Sequence, residues 1–389
     1  MNPQAVVEPG SYEEVAAVMR YASTAGLAVI PLGGGTKAYF GNSPARYDLA
    51  LSLSRLDQII EHEPADMTVT CQAGITVLAL QRRLHKSGQR VPFDVSAGQD
   101  ASVGGVLASN ANGASRQAYG ALRDFTIGMR VVTADGRITR AGGKVVKNVA
   151  GYDLCKVYIG SLGTLGVIVE ATFKLMPVAR LERRCVLSLQ SPEDACALAA
   201  ALYRLGLALS HVRLSRASGD KEDGWLLDIG LAGSRSAVER SERELERLAA
   251  CLNATPVHPE PPANAGKRHR GESSQAQGLL CRFSVLPSKL SALIVDLHKI
   301  GSPDIVSEPA TGVLSAAWTA VNEAAVLDSA REIAARHSAM CVVERCSTEL
   351  KKRIDVFGDP PPAFELMRRV KQQFDAKGTL SPGRFVGRL

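Results

Sequence analysis

The chain has 389 residues, of which 46% are hydrophobic and 22% are charged, and a formal net charge of +7. This composition indicates a folded globular protein that is long enough for two domains. No stretch approaches the roughly 20 apolar residues of a membrane-spanning helix, and Met1-Asn2-Pro3-Gln4 does not resemble the start of a secretory signal. We therefore expect a cytoplasmic protein, with peripheral attachment to the inner membrane through a complex left open.

Eight cysteines are scattered along the chain, and the closest pair, Cys341 and Cys346, has no neighbouring cysteine or histidine cluster. This spacing does not match an iron–sulfur or zinc site, so such a centre would belong to another chain. The basic runs at 267–270 and 368–371 are typical of solvated surface, and a docking face for an acidic partner or anionic lipid is the second interpretation. Aromatic residues make up 5% of the chain, which disfavours nucleic-acid binding.

In chain order, the first predicted element is a helix over 11–25, where Ser11 and Glu14 form a capping box and Gly26 ends the helix. The first half continues with a buried strand over 27–32, a strand over 67–74, a helix over 77–87, a hairpin over 126–140 that turns at Asp135-Gly136, and a strand over 166–175.

The composition changes after about residue 180, where glycine-rich sequence gives way to leucine, alanine, arginine and glutamate. Helices over 192–206 and 235–252 are predicted to alternate with strands over 224–231 and 279–286. Residues 255–278 are rich in proline, glycine, serine, asparagine and glutamine, and are predicted to form a mobile loop. We expect this half to form a second, α+β domain.

Two glycine-rich segments carry most of the functional information: Gly33-Gly34-Gly35-Thr36 and Ser102-Val103-Gly104-Gly105. Glycine lets the backbone approach a phosphate that a β-carbon would block. The backbone N–H groups of such turns then donate to the anion. Each segment alone indicates only a tight turn, but together they predict two phosphate-binding loops.

Further small-residue segments follow in a definite order along the chain. They are Ala108-Ser109-Asn110-Ala111-Asn112-Gly113 with Tyr119-Gly120 and Arg123-Asp124, then 142–154, Gly160–Ile168 and Phe374–Arg384. Taken in order, all these segments resemble the vanillyl-alcohol-oxidase-type (PCMH-type) FAD-binding family, and within it the FAD-binding subunits of bacterial glycolate oxidases. The resemblance covers about residues 1–178 and 370–386.

The resemblance implies an α+β fold with three parts: a PCMH-type FAD-binding domain of two α+β subdomains over 1–178, an α+β cap domain over 179–345, and a C-terminal segment over 346–389 that packs back on the FAD domain. It also implies which residues bind FAD. The pyrophosphate would be held by Gly33, Gly34, Gly35, Thr36, Lys37, Ser102, Gly104 and Gly105, with Ala97 and Gly98 near it; the groove would be shaped by Ala108, Asn110, Gly113, Tyr119 and Asp124; and the adenine or ribose would lie near Gly163, Thr164, Gly166 and Ile168.

The chain lacks two common nucleotide-binding motifs and a histidine that could tether FAD. Their absence disfavours other nucleotide cofactors and a covalent link to the flavin. The predicted strand–helix junctions lack G-x-G-x-x-G, and the chain lacks G-x-x-x-x-G-K-[ST], which disfavours a nicotinamide-binding Rossmann site and a P-loop. Some members of the resembled family tether FAD to a histidine beside the glycine loop, but residues 31–41 contain none. We therefore expect FAD to be bound non-covalently.

The histidines also depart from the resembled family. Its 2-hydroxy-acid dehydrogenases carry Gly-Glu-His-Gly and an upstream histidine pair, which bind a divalent metal and position or deprotonate the substrate. The seven histidines of this chain form neither pattern, and we expect no metal site: His62, His85, His211, His258, His269, His298 and His337. His337 is expected on the surface of a helix, and Leu162 stands where the family motif Gly-Ser-Glu-Gly-Thr-Leu-Gly has its acid.

These departures predict a flavoprotein subunit that keeps its FAD site and has lost the residues that oxidise the substrate. By the resemblance, its partners are a sister flavin-containing catalytic subunit and an iron–sulfur subunit, in a complex that oxidises glycolate to glyoxylate. Two alternatives stay open. One is a self-sufficient FAD-dependent dehydrogenase of glycolate or D-lactate, with Tyr152, Lys147 or Arg345 as the base, and the other is a structural subunit with a vacant flavin site.

Overall fold

The structure is a computed structural model of the chain, and it describes residues 3–95, 99–144, 151–216, 224–257, 278–319 and 321–389. Two units make up the fold. The first consists of Met1–Gly113, Gly120–Val178 and Asp355–Leu389, and the second consists of Ala114–Tyr119 and Ala179–Ile354. Both units contain helices and strands, which confirms the predicted α+β class.

A small parallel sheet opens the first unit. Its strands are, in spatial order, β1 (Ala5–Val7), β3 (Leu49–Ser52) and β2 (Val29–Leu32), and the helix α1 (Tyr12–Ala25) connects β1 to β2. Ser11 Oγ accepts a hydrogen bond from the Glu14 amide at 3.1 Å, and Gly26 ends the helix with a left-handed φ of 69°. The predicted start and end of this helix are therefore confirmed.

A five-stranded antiparallel sheet forms the larger part of the first unit. Its spatial order is β4 (Ile59–Glu63), β5 (Thr68–Gln72), β9 (Val167–Lys174), β7 (Thr126–Val132) and β8 (Ile138–Gly142). The predicted hairpin is confirmed as β7 and β8, which pair in antiparallel register around Gly136. The other elements are α2 (Val77–His85), α3 (Val103–Ser109), α5 (Leu122–Phe125), α6 (Cys155–Tyr158), and a short ribbon of β6 (Gln89–Arg90) with β10 (Met176–Pro177).

One hydrophobic core runs through both sheets of the first unit. Met19 of α1, Leu107 of α3 and Phe173 of β9 are completely buried in it, and Leu380 near the C-terminus belongs to the same cluster. Burial of a large apolar side chain stabilises a fold by about 1.5–3 kcal/mol. The core therefore fixes α3 and the C-terminal segment against β2, and these three elements carry the segments singled out in the sequence.

An eight-stranded antiparallel sheet organises the second unit. The spatial order is β14 (Thr255–Val257), β11 (Leu181–Leu189), β13 (Trp225–Gly233), β12 (Leu209–Arg216), β16 (Asp304–Glu308), β17 (Val313–Trp318), β15 (Leu279–Ser284) and β18 (Met340–Arg345). Its helices are α4 (Arg116–Tyr119), α7 (Pro192–Arg204), α8 (Arg235–Cys251), α9 (Leu290–His298), α10 (Glu323–Arg336) and α11 (Thr348–Arg353), and α12 (Phe364–Phe374) returns to the first unit.

The strands of this sheet are buried on one face. In β13, Leu227 and Ile229 are completely buried, whereas the intervening Asp228 is partly exposed. This alternation is typical of an antiparallel sheet with helices on one side only. The helices α7 and α8 pack on β11 and β13, and α10 packs on β15 and β18.

The predicted loop over 255–278 differs from the structure at its start. Thr255–Val257 forms β14, because it pairs with Val186–Ser188 at the edge of the sheet. Residues 258–277 lie outside the described residues. In the described part of the chain, none of the helices has the length and hydrophobicity needed to span a membrane.

Candidate functional site

The first glycine segment follows β2 directly. A β-carbon on Gly33 would overlap Ser102 Oγ, and one on Gly34 would overlap the carbonyl oxygen of Asp100. Gly35 has a φ of 71°, in the left-handed region that favours glycine. Each glycine of the triplet is therefore required by a close approach or by its backbone angle.

The second glycine segment is the start of α3. Ser102 caps this helix, since its Oγ accepts from the Gly105 amide at 3.2 Å, and the same oxygen accepts from the Gly34 amide at 3.4 Å. A β-carbon on Gly104 would lie only 2.9 Å from the Ala73 β-carbon. The buried Ser102 hydroxyl thus joins the two glycine loops that the sequence predicted to act together.

The joined loops present backbone to solvent. Gly34, Gly35 and Gly105 are exposed, and Lys37 lies in the turn that continues the first loop. Across the described residues, the amides of Gly35 and Thr36 donate to no protein acceptor. Exposed amides in a turn with a left-handed residue form a concavity that favours an anion. This arrangement fits a pyrophosphate.

A third segment, the turn Gly160–Thr164, lies beside the end of α3. The Gly160 amide donates to the Leu107 carbonyl at 2.9 Å, and the Leu162 amide donates to the Ala108 carbonyl at 2.8 Å. A β-carbon on Gly163, whose φ is 71°, would lie 3.4 Å from Pro31 Cγ of β2. The structure therefore brings the first, second and third sequence segments together.

The C-terminal segment contacts this arrangement through the partly buried Lys371. Lys371 Nζ donates to the carbonyl oxygens of Thr164 at 2.8 Å and Leu380 at 2.9 Å, and it pairs with Asp375 Oδ2 at 2.6 Å. Burial lowers the pKa of Lys371, although the Asp375 carboxylate partly opposes this. Asp375 is completely buried as a side chain and also accepts from the Thr379 and Leu380 amides.

A second cation of the C-terminal segment holds the first glycine loop. Arg384 donates to the carbonyl oxygens of Ala38 and Phe40, both at 2.9 Å, and burial lowers the pKa of its guanidinium. The sequence alone did not predict a role for Lys371, Asp375 or Arg384. The Lys-x-x-x-Asp spacing at the end of a helix is the signal that could have found the first two.

Two buried hydroxyls lie in the same arrangement. Ser161 is 5% exposed and Ser381 is 0% exposed, and within the described residues neither Oγ has a hydrogen-bond partner. Ser381 Oγ lies 3.7 Å from the position of a Gly163 β-carbon. A buried hydroxyl without a partner is costly unless a ligand or water satisfies it. These hydroxyls, like the exposed amides, fit a polar ligand such as a dinucleotide.

Other predicted site residues have visible structural roles. Asn110 ends α3 with a φ of 49° and binds the Asn112 amide, and Asp124 caps α5 by accepting from the Ala121 amide at 2.8 Å. A β-carbon on Gly166 would lie 2.5 Å from Val131 Cγ1, and Ile168 is buried in the core. Asn110 also lies beside the third segment, since a β-carbon on Gly160 would be 3.4 Å from its Cβ.

The remaining predicted residues lie elsewhere. A β-carbon on Gly113 would meet the Asp94 carboxylate, and Tyr119 belongs to α4, which contacts β12 in the second unit. Ala97 and Gly98 lie outside the described residues.

Four of the five described histidines have hydrogen-bond partners, whereas His298 Nδ1 has none among the described residues. His62 Nε2 lies 2.8 Å from Gln89 Oε1, His85 Nδ1 lies 2.8 Å from the Gln81 carbonyl oxygen, and His211 Nε2 lies 3.4 Å from Asp228 Oδ1. The His298 ring contacts Trp225, and burial lowers the pKa of His298. His258 and His269 lie outside the described residues, and the part of the chain that is described contains no group of three or more His, Cys, Asp or Glu side chains arranged to hold a metal.

His337 is less exposed than the sequence predicted. It ends α10, and its side chain is 16% exposed with Nε2 2.8 Å from Asp296 Oδ2 of α9. The prediction of a plain surface position was wrong about exposure, because the end of α10 packs toward α9. Of the possible bases, Tyr152 is 96% exposed, Arg345 is buried in the second unit, and Lys147 lies outside the described residues.

Comparison with known protein families indicates which kind of binding domain contains this site. Residues 3–142 match the model of the family described as FAD binding domain. The matched segment includes both glycine loops. The first unit therefore contains an FAD-binding domain. This match confirms FAD as the cofactor, as the sequence predicted.

Three relatives are similar to parts or all of the chain. The D-2-hydroxyglutarate dehydrogenase of Xanthomonas citri pv. viticola is 41% identical over 45% of this chain and 37% of its own length. Glycolate oxidase subunit GlcD of Bacillus subtilis is 35% identical over 50% of this chain and 41% of its own. D-lactate dehydrogenase of Archaeoglobus fulgidus is 27% identical over 99% and 91%. The chain thus spans about two fifths of the first two relatives.

Glycolate oxidase subunit GlcE of Escherichia coli is also similar, at 35% identity over 41% of this chain and 45% of its own length. Among solved structures, a crystal structure of p-cresol methylhydroxylase with substrate bound has a TM-score of 0.76 and 17% identity, covering 97% of this chain and 88% of that chain. This likeness extends the PCMH-type fold over nearly the whole chain and confirms the predicted fold.

Proposed function

We propose that this chain is an FAD-binding subunit of a glycolate oxidase complex that oxidises glycolate to glyoxylate. The observation that carries the proposal is the joining of two glycine loops by the Ser102 hydroxyl, which leaves the Gly34, Gly35 and Gly105 backbone exposed. When bound, FAD supplies a flavin ring that can accept a hydride. The residues of this chain hold and orient that cofactor.

The pyrophosphate is assigned to the joined loops. The amides of Gly35 and Thr36 in the first loop, which donate to no acceptor among the described residues, favour the anion, and Lys37 adds a positive charge in the same turn. The unpartnered hydroxyls of Ser161 and Ser381 are assigned to polar groups further along the dinucleotide. The absence of histidine from residues 31–41 supports non-covalent binding.

The subunit role is accessory: it transfers electrons or organises the complex rather than oxidising the substrate itself. A base is needed to take the hydroxyl proton of a 2-hydroxy acid. Four of the five described histidines are hydrogen-bonded to neighbours, and the fifth, His298, packs against Trp225. The described residues offer no metal cluster to position a substrate. Partners are proposed to be a sister flavin-containing catalytic subunit and an iron–sulfur subunit, in the cytoplasm or peripherally on the inner membrane. The similarity to GlcD and GlcE, which are both named as subunits, supports this role.

A second candidate function is a self-sufficient FAD-dependent 2-hydroxy-acid dehydrogenase. The alignment with the Archaeoglobus fulgidus D-lactate dehydrogenase favours it, because it extends over 99% of this chain and 91% of that enzyme. Under this proposal the chain alone would oxidise D-lactate or glycolate.

Anaerobic visible spectroscopy of the purified chain separates the two candidates. Glycolate, D-lactate and D-2-hydroxyglutarate are added in turn, and the flavin band near 450 nm is followed on the order of minutes, far longer than the turnover time of a typical enzyme. The accessory role predicts flavin that stays oxidised with each acid until the partner subunits are added. Prompt bleaching by the chain alone would favour the self-sufficient dehydrogenase, and a colourless folded protein would favour a structural subunit.

A further inference from the structure

The first glycine loop is held at its far end by the C-terminal segment. The described residues 33–48 connect β2 to β3 without a helix or strand, and two hydrogen-bonded turns, closed by the amides of Ala38 and Phe40, follow the glycines. A connection of this kind is among the least stable parts of a fold unless other segments hold it. The groups that hold it therefore determine how well its backbone is ordered.

Arg384 makes the first of these contacts. Its Nη2 donates to the carbonyl oxygens of Ala38 and Phe40, both at 2.9 Å, so one guanidinium nitrogen links the two turns. The Asn42 amide donates to the Arg384 carbonyl oxygen at 2.9 Å. A β-carbon on Gly41, whose φ is 89°, would lie 2.9 Å from the same carbonyl oxygen. The end of the loop therefore packs directly on Arg384.

Asn42 makes the second contact, and its side chain is almost completely buried. Its Nδ2 donates to Asp355 Oδ1 at 3.1 Å and to the Phe385 carbonyl oxygen at 2.9 Å, while its Oδ1 accepts from the Val356 amide at 2.9 Å. Asp355 Oδ2 in turn accepts from the Gly387 amide at 2.8 Å. These three bonds fix the orientation of the Asn42 amide, because reversing it would place donor against donor. Asn42 thus fixes the position where the loop ends.

Three phenylalanines pack at the same junction. The Phe40 and Phe357 rings meet edge to face with their centroids 5.8 Å apart, and the Phe357 and Phe385 centroids are 5.4 Å apart. Aromatic pairs in such geometries stabilise a fold beyond the area that they bury. Together with Arg384 and Asn42, these rings form a group that we call the C-terminal clamp.

The clamp and Ser102 hold opposite ends of the loop that is assigned to the pyrophosphate. Ser102 Oγ accepts from the Gly34 amide at the start of the loop, and the clamp binds the two turns at its end. The amides of Gly35 and Thr36, which donate to no acceptor among the described residues, lie between these two anchors. A site made of amides binds an anion tightly when the amides are already in place, because ordering them on binding costs free energy.

We propose that Arg384 is a positioning residue for FAD: through the clamp, it keeps the first glycine loop in the conformation that receives the pyrophosphate, without contacting the cofactor. The inference rests on the assignment of FAD to the joined loops. A protein whose binding-competent conformation is only partly populated binds its ligand more weakly by that fraction. Loss of the clamp should therefore slow FAD association, whereas loss of a direct contact mainly speeds dissociation.

The first test measures the rates of FAD binding to the apoprotein by stopped-flow flavin fluorescence. Arg384→Met should lower the association rate constant by about tenfold and change the dissociation rate constant by less than about twofold. Arg384→Lys should keep most of the association rate, because an ammonium group can donate to two carbonyls. Faster dissociation with unchanged association would overturn the positioning role, and unchanged rates in a folded Arg384→Met protein would overturn the clamp.

Arg55→Met is the matched control for this test. The Arg55 guanidinium also donates to a backbone carbonyl of the first unit, that of Glu8 at 3.1 Å, but it lies outside the glycine loops. Both rate constants should stay at the value of the unaltered chain. An equal slowing of association in Arg55→Met and Arg384→Met would show that any lost arginine contact has this effect, and would overturn the special role of Arg384.

The second test uses an uncharged residue of the clamp. The three side-chain hydrogen bonds of Asn42 are all made within the protein, so an effect of Asn42→Ala on FAD binding does not come from a lost attraction to the phosphates. Asn42→Ala should slow FAD association by about fivefold or more, again with dissociation nearly unchanged. Association at the rate of the unaltered chain in a folded Asn42→Ala protein would contradict the proposal.

Hydrogen exchange of the apoprotein tests the clamp without the cofactor. Arg384→Met and Asn42→Ala should speed amide exchange across residues 36–42 by about tenfold, and leave exchange in α1 unchanged. Slow exchange across residues 36–42 in both variants would overturn the clamp, whatever their affinity for FAD. A loop that is protected in the unaltered chain, but in a protein that binds no FAD, would instead overturn the assignment of the cofactor to this site.

Discussion

The two units of this protein place their polar groups in different ways. In the first unit, the site is made of backbone: glycines bring amides close together, and one hydroxyl, that of Ser102, joins the loops. In the second unit, polar groups are side chains paired across strands, such as Asp228 with Arg184 at 2.8 and 3.0 Å. A binding site made of backbone groups requires glycine at particular positions, and these glycines can be recognised in the sequence. Cross-strand pairs depend on strand register, which cannot be recognised in the sequence in the same way.

Among the substitutions considered for the two units, one in the first glycine loop should have the strongest effect on FAD binding. Gly34→Asp should abolish FAD binding, raising the dissociation constant by at least about 100-fold, because its β-carbon would overlap the Asp100 carbonyl and its charge would repel a pyrophosphate. Equilibrium titration of the apoprotein with FAD measures this effect.

Gly143→Asp is the matched control for this loop. It makes the same change in the same unit, but a β-carbon on Gly143 meets nothing within 4 Å. Full FAD affinity in a folded Gly34→Asp protein, or an equal loss of FAD affinity in both variants, would show that the first glycine loop does not bind FAD.

The second prediction concerns the lysine that ties the C-terminal segment to the first unit. Lys371→Met should lower the free energy of unfolding by about 3 kcal/mol, since it leaves the buried Asp375 carboxylate without its cation. Urea denaturation measures the loss. Lys377→Met removes an exposed lysine of the same segment and should cost less than about 0.5 kcal/mol; similar losses in the two variants would show that Lys371 is no more than a surface contact.

The third prediction concerns acid stability in the second unit. Burial would raise the pKa of Asp228, but hydrogen bonds from His211 and Arg184 outweigh it and lower that pKa overall. A carboxyl with a lowered folded pKa stabilises the protein above its unfolded pKa of about 4, and the contribution is lost as the pH falls. Asp228→Asn should therefore cost about 2 kcal/mol at pH 7 and progressively less below pH 4.

Denaturant unfolding at a series of pH values tests this dependence. Glu349→Gln breaks an exposed pair with Lys352, so it should leave the profile unchanged. A loss in Asp228→Asn that stays constant from pH 7 to about pH 3 would show that the carboxylate charge does not stabilise the fold.

One helix cap in each unit distinguishes an effect on stability from an effect on FAD binding. Ser102→Ala and Ser191→Ala each remove a helix cap, of α3 and α7 respectively, and each should cost about 1 kcal/mol of stability. Only Ser102→Ala should also weaken FAD binding, by about fivefold, because Ser102 Oγ joins the two glycine loops. Equal FAD affinities in the two variants would show that the Ser102 cap does not contribute to FAD binding.

Much of the local structure could be predicted because its causes are local. The capping residues of α1, the Asp135-Gly136 turn of the hairpin and the apolar periods of α7 and α8 act within a few residues. The glycine loops were found for the same reason, and their joining by Ser102 confirms that they lie together.

Other features depend on contacts between distant segments. Ala114–Tyr119 belongs to the second unit although the residues on both sides belong to the first. Lys371 contacts Thr164 across 207 positions, and Arg384 contacts Ala38 across 346. The strand order of the eight-stranded sheet has no short-range signal, since it follows from pairing between distant segments.

Titration of the apoprotein with FAD, followed by acid precipitation, tests whether the first unit binds FAD non-covalently. We expect one FAD bound per chain with a flavin absorption spectrum, and complete release of the FAD into the acid supernatant. A folded chain that binds no FAD would contradict the assignment of the glycine loops, and flavin that stays with the precipitate would contradict non-covalent binding.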